Sequence, residues 1–116
     1  MNTLIDLIFK LVGEGHEHIL CLVPTNGVAK EIEKHIARNA ECKDMYGVKG
    51  GYAVLVKHPA GSFTLSMGTP DSVESTDFPY VKVTACIAFG TGQSMASLTD
   101  TVIPVMDSTN RSIFIM

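Results

Sequence analysis

Apolar positions recur along the chain with two periods, and each period marks elements. Leu4, Ile5, Leu7, Ile8, Leu11 and Val12 fall at helical spacing, with Asp6 and Lys10 opposite them as an i,i+4 pair in the favourable order. Thr3 is the expected cap of this helix, and Gly13 and Gly15 its expected end. Most of its circumference is apolar, so much of it should be buried. Ile19 to Val23 is an unbroken apolar run, the pattern of a strand covered on both faces. It ends in Pro24-Thr25-Asn26-Gly27, and a helix from about Val28 to Asn39 follows at once, capped by Thr25 or Asn26. Val28, Ile32 and Ile36, with Ala29 beside them, form its buried stripe. Lys30, Glu31, Glu33, Lys34 and Arg38 form its wet face.

In the second half, Gly47, Gly50 and Gly51 mark a loop. Tyr52 to Lys57 and Ser62 to Met67 read as strands joined through His58-Pro59-Ala60-Gly61, a hairpin. Gly68-Thr69-Pro70-Asp71 ends it, and a polar loop is expected as far as Asp77. Tyr80 to Phe89 is the longest strand expected, central because its alternation is weak, and Gly90-Thr91-Gly92 breaks it. Ser94 to Met106 reads as loop and short helix interrupted at Pro104, and Ser112 to Met116 as a last strand. The pattern predicts a single α/β domain over residues 1–116. Its core is a layered mixed sheet of about five strands including one hairpin, flanked by two or three helices.

A chain of 116 residues with 46% apolar and 18% charged composition suits one modest core. The formal net charge of -3 excludes a broad basic footprint for nucleic acid, while leaving room for a small contact patch. No apolar run approaches a membrane span, so no membrane partner is expected. The N-terminal segment has Asp6 inside its apolar stretch, no basic start and no small-residue cleavage site, so no leader is expected. Cys21, Cys42 and Cys86 are odd in number, and two of them lie in strand-like runs. That predicts reduced thiols and a cytoplasmic protein, in the host cytoplasm if it is phage-encoded.

Several constellations have a chemical and a plainer reading. His16-Glu17-His18 with Cys21 offers metal donors, but zinc needs a second cluster, and two loop histidines before a strand explain the pattern better. Cys86 with His58 or His35 could form a nucleophilic pair, yet a cysteine inside an apolar strand is ordinarily structural. Asp71, Glu74 and Asp77 have no calcium-loop spacing and read as a solvated loop. The methionines read as core filling. Thr25, Asn26 and Gly27 stand at a helix N-terminus, where free N–H groups and the helix dipole favour an anion, and simple capping explains the same residues. If the sheet is parallel there, Gly90, Thr91, Gly92, Gln93 and Ser94 share that surface. These eight residues are the best small-ligand site that the sequence offers, at the carboxyl end of a strand where open α/β sheets bind ligands. No metal or cofactor is expected.

Pro24-Thr25 followed by Ala29, Glu31 and Ile32 resembles the strand-to-helix motif of the P-loop ATPase core found in helicases and viral DNA-packaging terminases. The hairpin turn Ala60-Gly61-Ser62, the step Thr69-Pro70-Asp71-Ser72-Val73, and Pro104-Val105 before the last strand are similar to the later landmarks of that core. The resemblance spans most of the chain through order and spacing. It places the metal-handling acidic pair at Thr84 and Ala85, which are not acidic. No Gly-x-x-x-x-Gly-Lys-Thr/Ser loop is present, and Gly47 to Gly51 and Gly90 to Gly92 have no correctly placed Lys-Ser/Thr. The resemblance therefore implies a truncated, degenerate relative without ATPase activity. It also implies a missing phosphate-loop strand, and hence an apolar strand edge left for a partner.

The expected function is that of a non-catalytic phage or mobile-element type of protein, acting as a protein-interaction or regulatory module. Its expected partner is another protein or a second copy, met through the exposed strand edge. One alternative is a small-ligand binder taking a nucleotide or phosphate group, and another is a phage structural or assembly protein.

Overall fold

The computed structural model describes residues 1–48, 51–59, 61–75, 78–79, 81–107 and 111–116. The first half runs α1 (Asn2–Gly13), β1 (His18–Leu22), α2 (Asn26–Ala37), β2 (Glu41–Val48), β3 (Gly51–His58) and β4 (Gly61–Gly68). The second half runs α3 (Pro70–Ser75), β5 (Ala85–Ala88), α4 (Met95–Val102), a 3-10 turn (Ile103–Val105) and β6 (Ser112–Ile115). The strands form one sheet in the order β2-β3-β4-β1-β5-β6. From β4 to β6 all neighbours are parallel, while β3 runs antiparallel to both β2 and β4.

Two cores sandwich this sheet. On one face α1 buries Leu4, Ile8, Leu11 and Val12, and α2 buries Ala29, Ile32 and Ile36, against Ile19, Cys21, Val54, Val56, Phe63, Leu65, Ala85 and Ile87. On the other, Val73 of α3 and Leu98 and Val102 of α4 cover Leu20, Leu22, Cys86 and Ala88, with Phe78 and Met106. β1 supplies both cores from alternate residues, which is why its sequence is apolar from Ile19 to Leu22. Full burial of a leucine or isoleucine is worth about 1.5–3 kcal/mol, so β1 anchors both layers.

The α/β class, the layered mixed sheet and its hairpin agree with the sequence pattern; the counts do not. Among the described residues there are six strands and four helices, one more of each than the upper counts that the pattern predicts. The extra strand, β2, covers Glu41–Val48, including the Gly47 that reads as loop; Gly50 lies outside the described residues. β2 pairs along β3 with a bulge between Asp44 and Tyr46. Its residues 41–47 are exposed or half-buried, so they leave no apolar period to read. The polar loop expected after Gly68 contains α3, with Pro70 at its first position and Asp71 in its first turn. Asp77 and Tyr80 lie outside the described residues. The long strand expected over Tyr80 to Phe89 shrinks to the four residues of β5, with Val83 only bridging Met106. Thr3 does not cap α1: Met1 holds the cap position, without a side-chain bond.

Candidate functional site at the carboxyl ends of β1 and β5

β1 and β5 are adjacent and parallel, and their helices leave in opposite directions. α2 follows β1 onto the face already covered by α1, and α4 follows β5 onto the other face. This is a topological switch point, where departing helices open a crevice beyond the strand ends. The two loops singled out in the sequence meet at this end. The Phe89 amide donates to the Leu22 carbonyl (2.9 Å), and a Cβ on Gly90 would lie 4.0 Å from the Pro24 ring. Gly90 and Gly92 turn the chain with φ of 70° and 72°, a conformation that favours glycine.

Four of the eight candidate residues, Thr25, Thr91, Gln93 and Ser94, make local side-chain hydrogen bonds here. Thr25 Oγ1 accepts from the Val28 amide (3.4 Å), and Ser94 Oγ accepts from the Ser97 amide (3.2 Å), so each caps its helix. Gln93 is held between Thr91 (3.3 Å) and Thr101 (3.3 Å). Asn26 alone of the eight lines a distinct cleft, of about 430 Å³, together with Lys30, Asp44, Met45, Tyr46, Gly47, Gly51 and Tyr52. Asn26 and Lys30 are one helical turn apart on the same side of α2. The Lys30 ammonium sits 4.2 Å from the centre of the Tyr52 ring. Burial first, then the nearby Glu33 and Asp44 carboxylates, push the Tyr52 phenol up, so it stays neutral. Met45 is 52% exposed at the rim. The sequence reading missed the β2 and β3 half of this cleft because it missed β2.

Other chemistry separates in space. Cys86 points into the α3/α4 core, while His58 stacks on Phe9 of α1 at 4.5 Å on the opposite face, and α2 carries His35 on that same opposite face. No Cys-His pair can form across the sheet. Burial pushes the Cys86 thiol up to about 12 and raises Cys21 further, which suits inert structural thiols. Burial, then Glu33 and Asp44, also raise Cys42. Among the described residues no three His, Cys, Asp or Glu side chains converge as metal ligands would. Thr84 immediately precedes β5 and Ala85 opens it, so the positions of the acidic pair in the resemblance lie at the amino end of this strand. Among the described residues no helix is long and apolar enough to cross a membrane.

Compared with known proteins, the chain matches no family model, no curated protein and no solved structure.

Proposed function

We propose that this protein is a non-catalytic interaction module that works by strand pairing at the open edge of β6, in its simplest form with a second copy of the same chain. One observation carries the reading: the two edges of the sheet are built differently. β2 is bulged and bears Glu41, Lys43 and Asp44, devices that discourage strand addition. β6 reads Ser-Ile-Phe-Ile, with no charge, no bulge and no proline. The Ser112 and Met116 amides donate inward, to Thr84 (3.0 Å) and Ala88 (2.8 Å). By the two-residue period of a strand, the N–H and C=O groups of Ile113 and Ile115 face the open edge. Ile115 and Met116 are 45% and 37% exposed beside them.

That edge is self-complementary. A two-fold axis through Phe114 would set Ile113 of one copy opposite Ile115 of the other. Each such pair exchanges both backbone hydrogen bonds, four in all, and apolar side chains meet across the seam. The resemblance to a packaging or helicase ATPase core that lacks its phosphate-loop strand supports the same reading, as does a regulatory or assembly role in a phage or mobile element. Sedimentation equilibrium over a range of concentrations tests it. The wild type should approach twice its 12.5 kDa mass, and Ile115→Pro should remain a folded monomer. A wild type that stays monomeric at the highest soluble concentration overturns self-pairing.

A second reading, a small-ligand binder for a nucleotide or phosphate group, is favoured by the cleft beside the switch point. There the first turn of α2 and Lys30 offer positive potential. A thermal-shift titration against nucleotides and inorganic phosphate, with and without Mg²⁺, should raise the melting temperature with concentration. Asn26→Ala and Lys30→Gln should weaken that rise, and a flat response across the panel removes this reading.

A further inference from the structure

The amino ends of the parallel strands hold a second, quite different cleft, of about 510 Å³. Glu14, Gly15, His16, Thr84, Arg111 and Ser112 line it. Its walls are fixed by the sheet: the Thr84 amide donates to the His18 carbonyl (3.1 Å), and the Ser112 amide donates to the Thr84 carbonyl (3.0 Å). Across the cleft His16 Nδ1 and Thr84 Oγ1 are hydrogen-bonded at 2.6 Å, which locks the imidazole in place across 68 positions of sequence.

Two full charges of opposite sign share this cleft without pairing to each other. Among the described residues Arg111 is tied through Nε, which donates to the Asp107 carbonyl (2.8 Å), and its outer guanidinium nitrogens have no acceptor. The Glu14 carboxylate likewise has no hydrogen-bond or ion-pair partner among the described residues. Glu14 also stands at the C-terminal cap of α1, the negative end of the helix dipole, where a carboxylate opposes helix stability. A local preference broken without a compensating contact points to function.

We infer that this cleft binds a small zwitterion carrying a carboxylate and an ammonium group close together, the class of free α-amino acids. The Arg111 guanidinium matches a carboxylate bidentately. Glu14 takes the ammonium, and the Thr84 and Ser112 hydroxyls offer further hydrogen bonds between the two. The cleft volume is in the range of small-molecule sites. Neither β6 pairing nor the cleft at Asn26 enters this inference, and failure of either leaves it standing.

Isothermal titration of the full chain against a panel of L-amino acids tests it, each hit being repeated as its N-acetyl and its α-amide derivative. At least one free amino acid should bind, and both derivatives should bind at least about tenfold more weakly, as loss of one charged hydrogen bond predicts. Arg111→Gln and Glu14→Gln, both at exposed positions, should each cost a similar factor with unchanged far-ultraviolet circular dichroism. Glu14→Gln should leave the N-acetyl derivative no weaker than it was. Absence of binding across the panel overturns the inference. So does an N-acetyl derivative that binds as tightly as its parent, which would mark a simple anion site, or a variant pair that binds like wild type.

Discussion

Among the described glycines, Gly51 has the most crowded surroundings. A Cβ there would sit 3.1 Å from the Met67 carbonyl and 3.2 Å from the Phe78 ring, both held in the packed interior. Gly13, at the end of α1, would meet nothing within 4 Å. Gly51→Ala should therefore lose about 1–3 kcal/mol by overpacking, while Gly13→Ala should gain a fraction of the roughly 1 kcal/mol helix preference of alanine. Urea denaturation should show the two midpoints moving in opposite directions. Cys86 sets a pH dependence. Burial raises its thiol from the ordinary 9.0 to about 12. Between those values the folded chain keeps a proton that the unfolded chain has lost, so stability falls as pH rises through that window. The loss approaches about 1.4 kcal/mol per pH unit for each such thiol. Urea midpoints at about pH 8 and about pH 10.5 should fall less steeply in Cys86→Ala, although that variant starts lower because of its cavity.

At the scale of elements, β6 separates its two sides by residue parity. Phe114 shares the inward parity of Ser112 and Met116, and Ile115 the outward one. Phe114→Pro removes a bond to β5 and should destabilise the fold measurably. Ile115→Pro removes only an edge donor and should leave the monomer's melting temperature within a few degrees of the monomeric wild type. Circular dichroism melts of the two variants decide it; equal losses would contradict the assigned register. The elements also differ in how legible they are. α1, β1, α2 and the β3–β4 hairpin announce themselves because each buries a periodic stripe. α3 reads as polar loop in the sequence, although Thr69-Pro70-Asp71 is also helix-start chemistry and the hydroxyls of Thr69 and Ser72 meet at 3.0 Å. β2 is not legible, because it is half-wet and exists by pairing with β3.

For the whole molecule, the question is whether two cores make two folding units. β1 contributes Ile19 and Cys21 to one core and Leu20 and Leu22 to the other, and β5 does the same with Ala85 and Ile87, Cys86 and Ala88. Neither core can open without exposing strands of the other. Tyrosine fluorescence and circular dichroism should therefore give coincident urea transitions. Separate midpoints would show that the α3/α4 layer melts by itself.

The sequence by itself determined the class, the strand β1, the helices of the first face and the hairpin, because burial on a regular element leaves a pattern in the chain. It also marked Asn26 and the Gly90 to Ser94 turn by their helix-start and glycine chemistry. Only the tertiary structure decided that those loops meet, since this depends on β1 and β5 being neighbours with helices on opposite faces. It alone joined Asn26 and Lys30 to β2, and Glu14 and His16 to Thr84 and Arg111. Contacts across many tens of residues are set by strand order, and strand order is a choice among packings that local periodicity does not record.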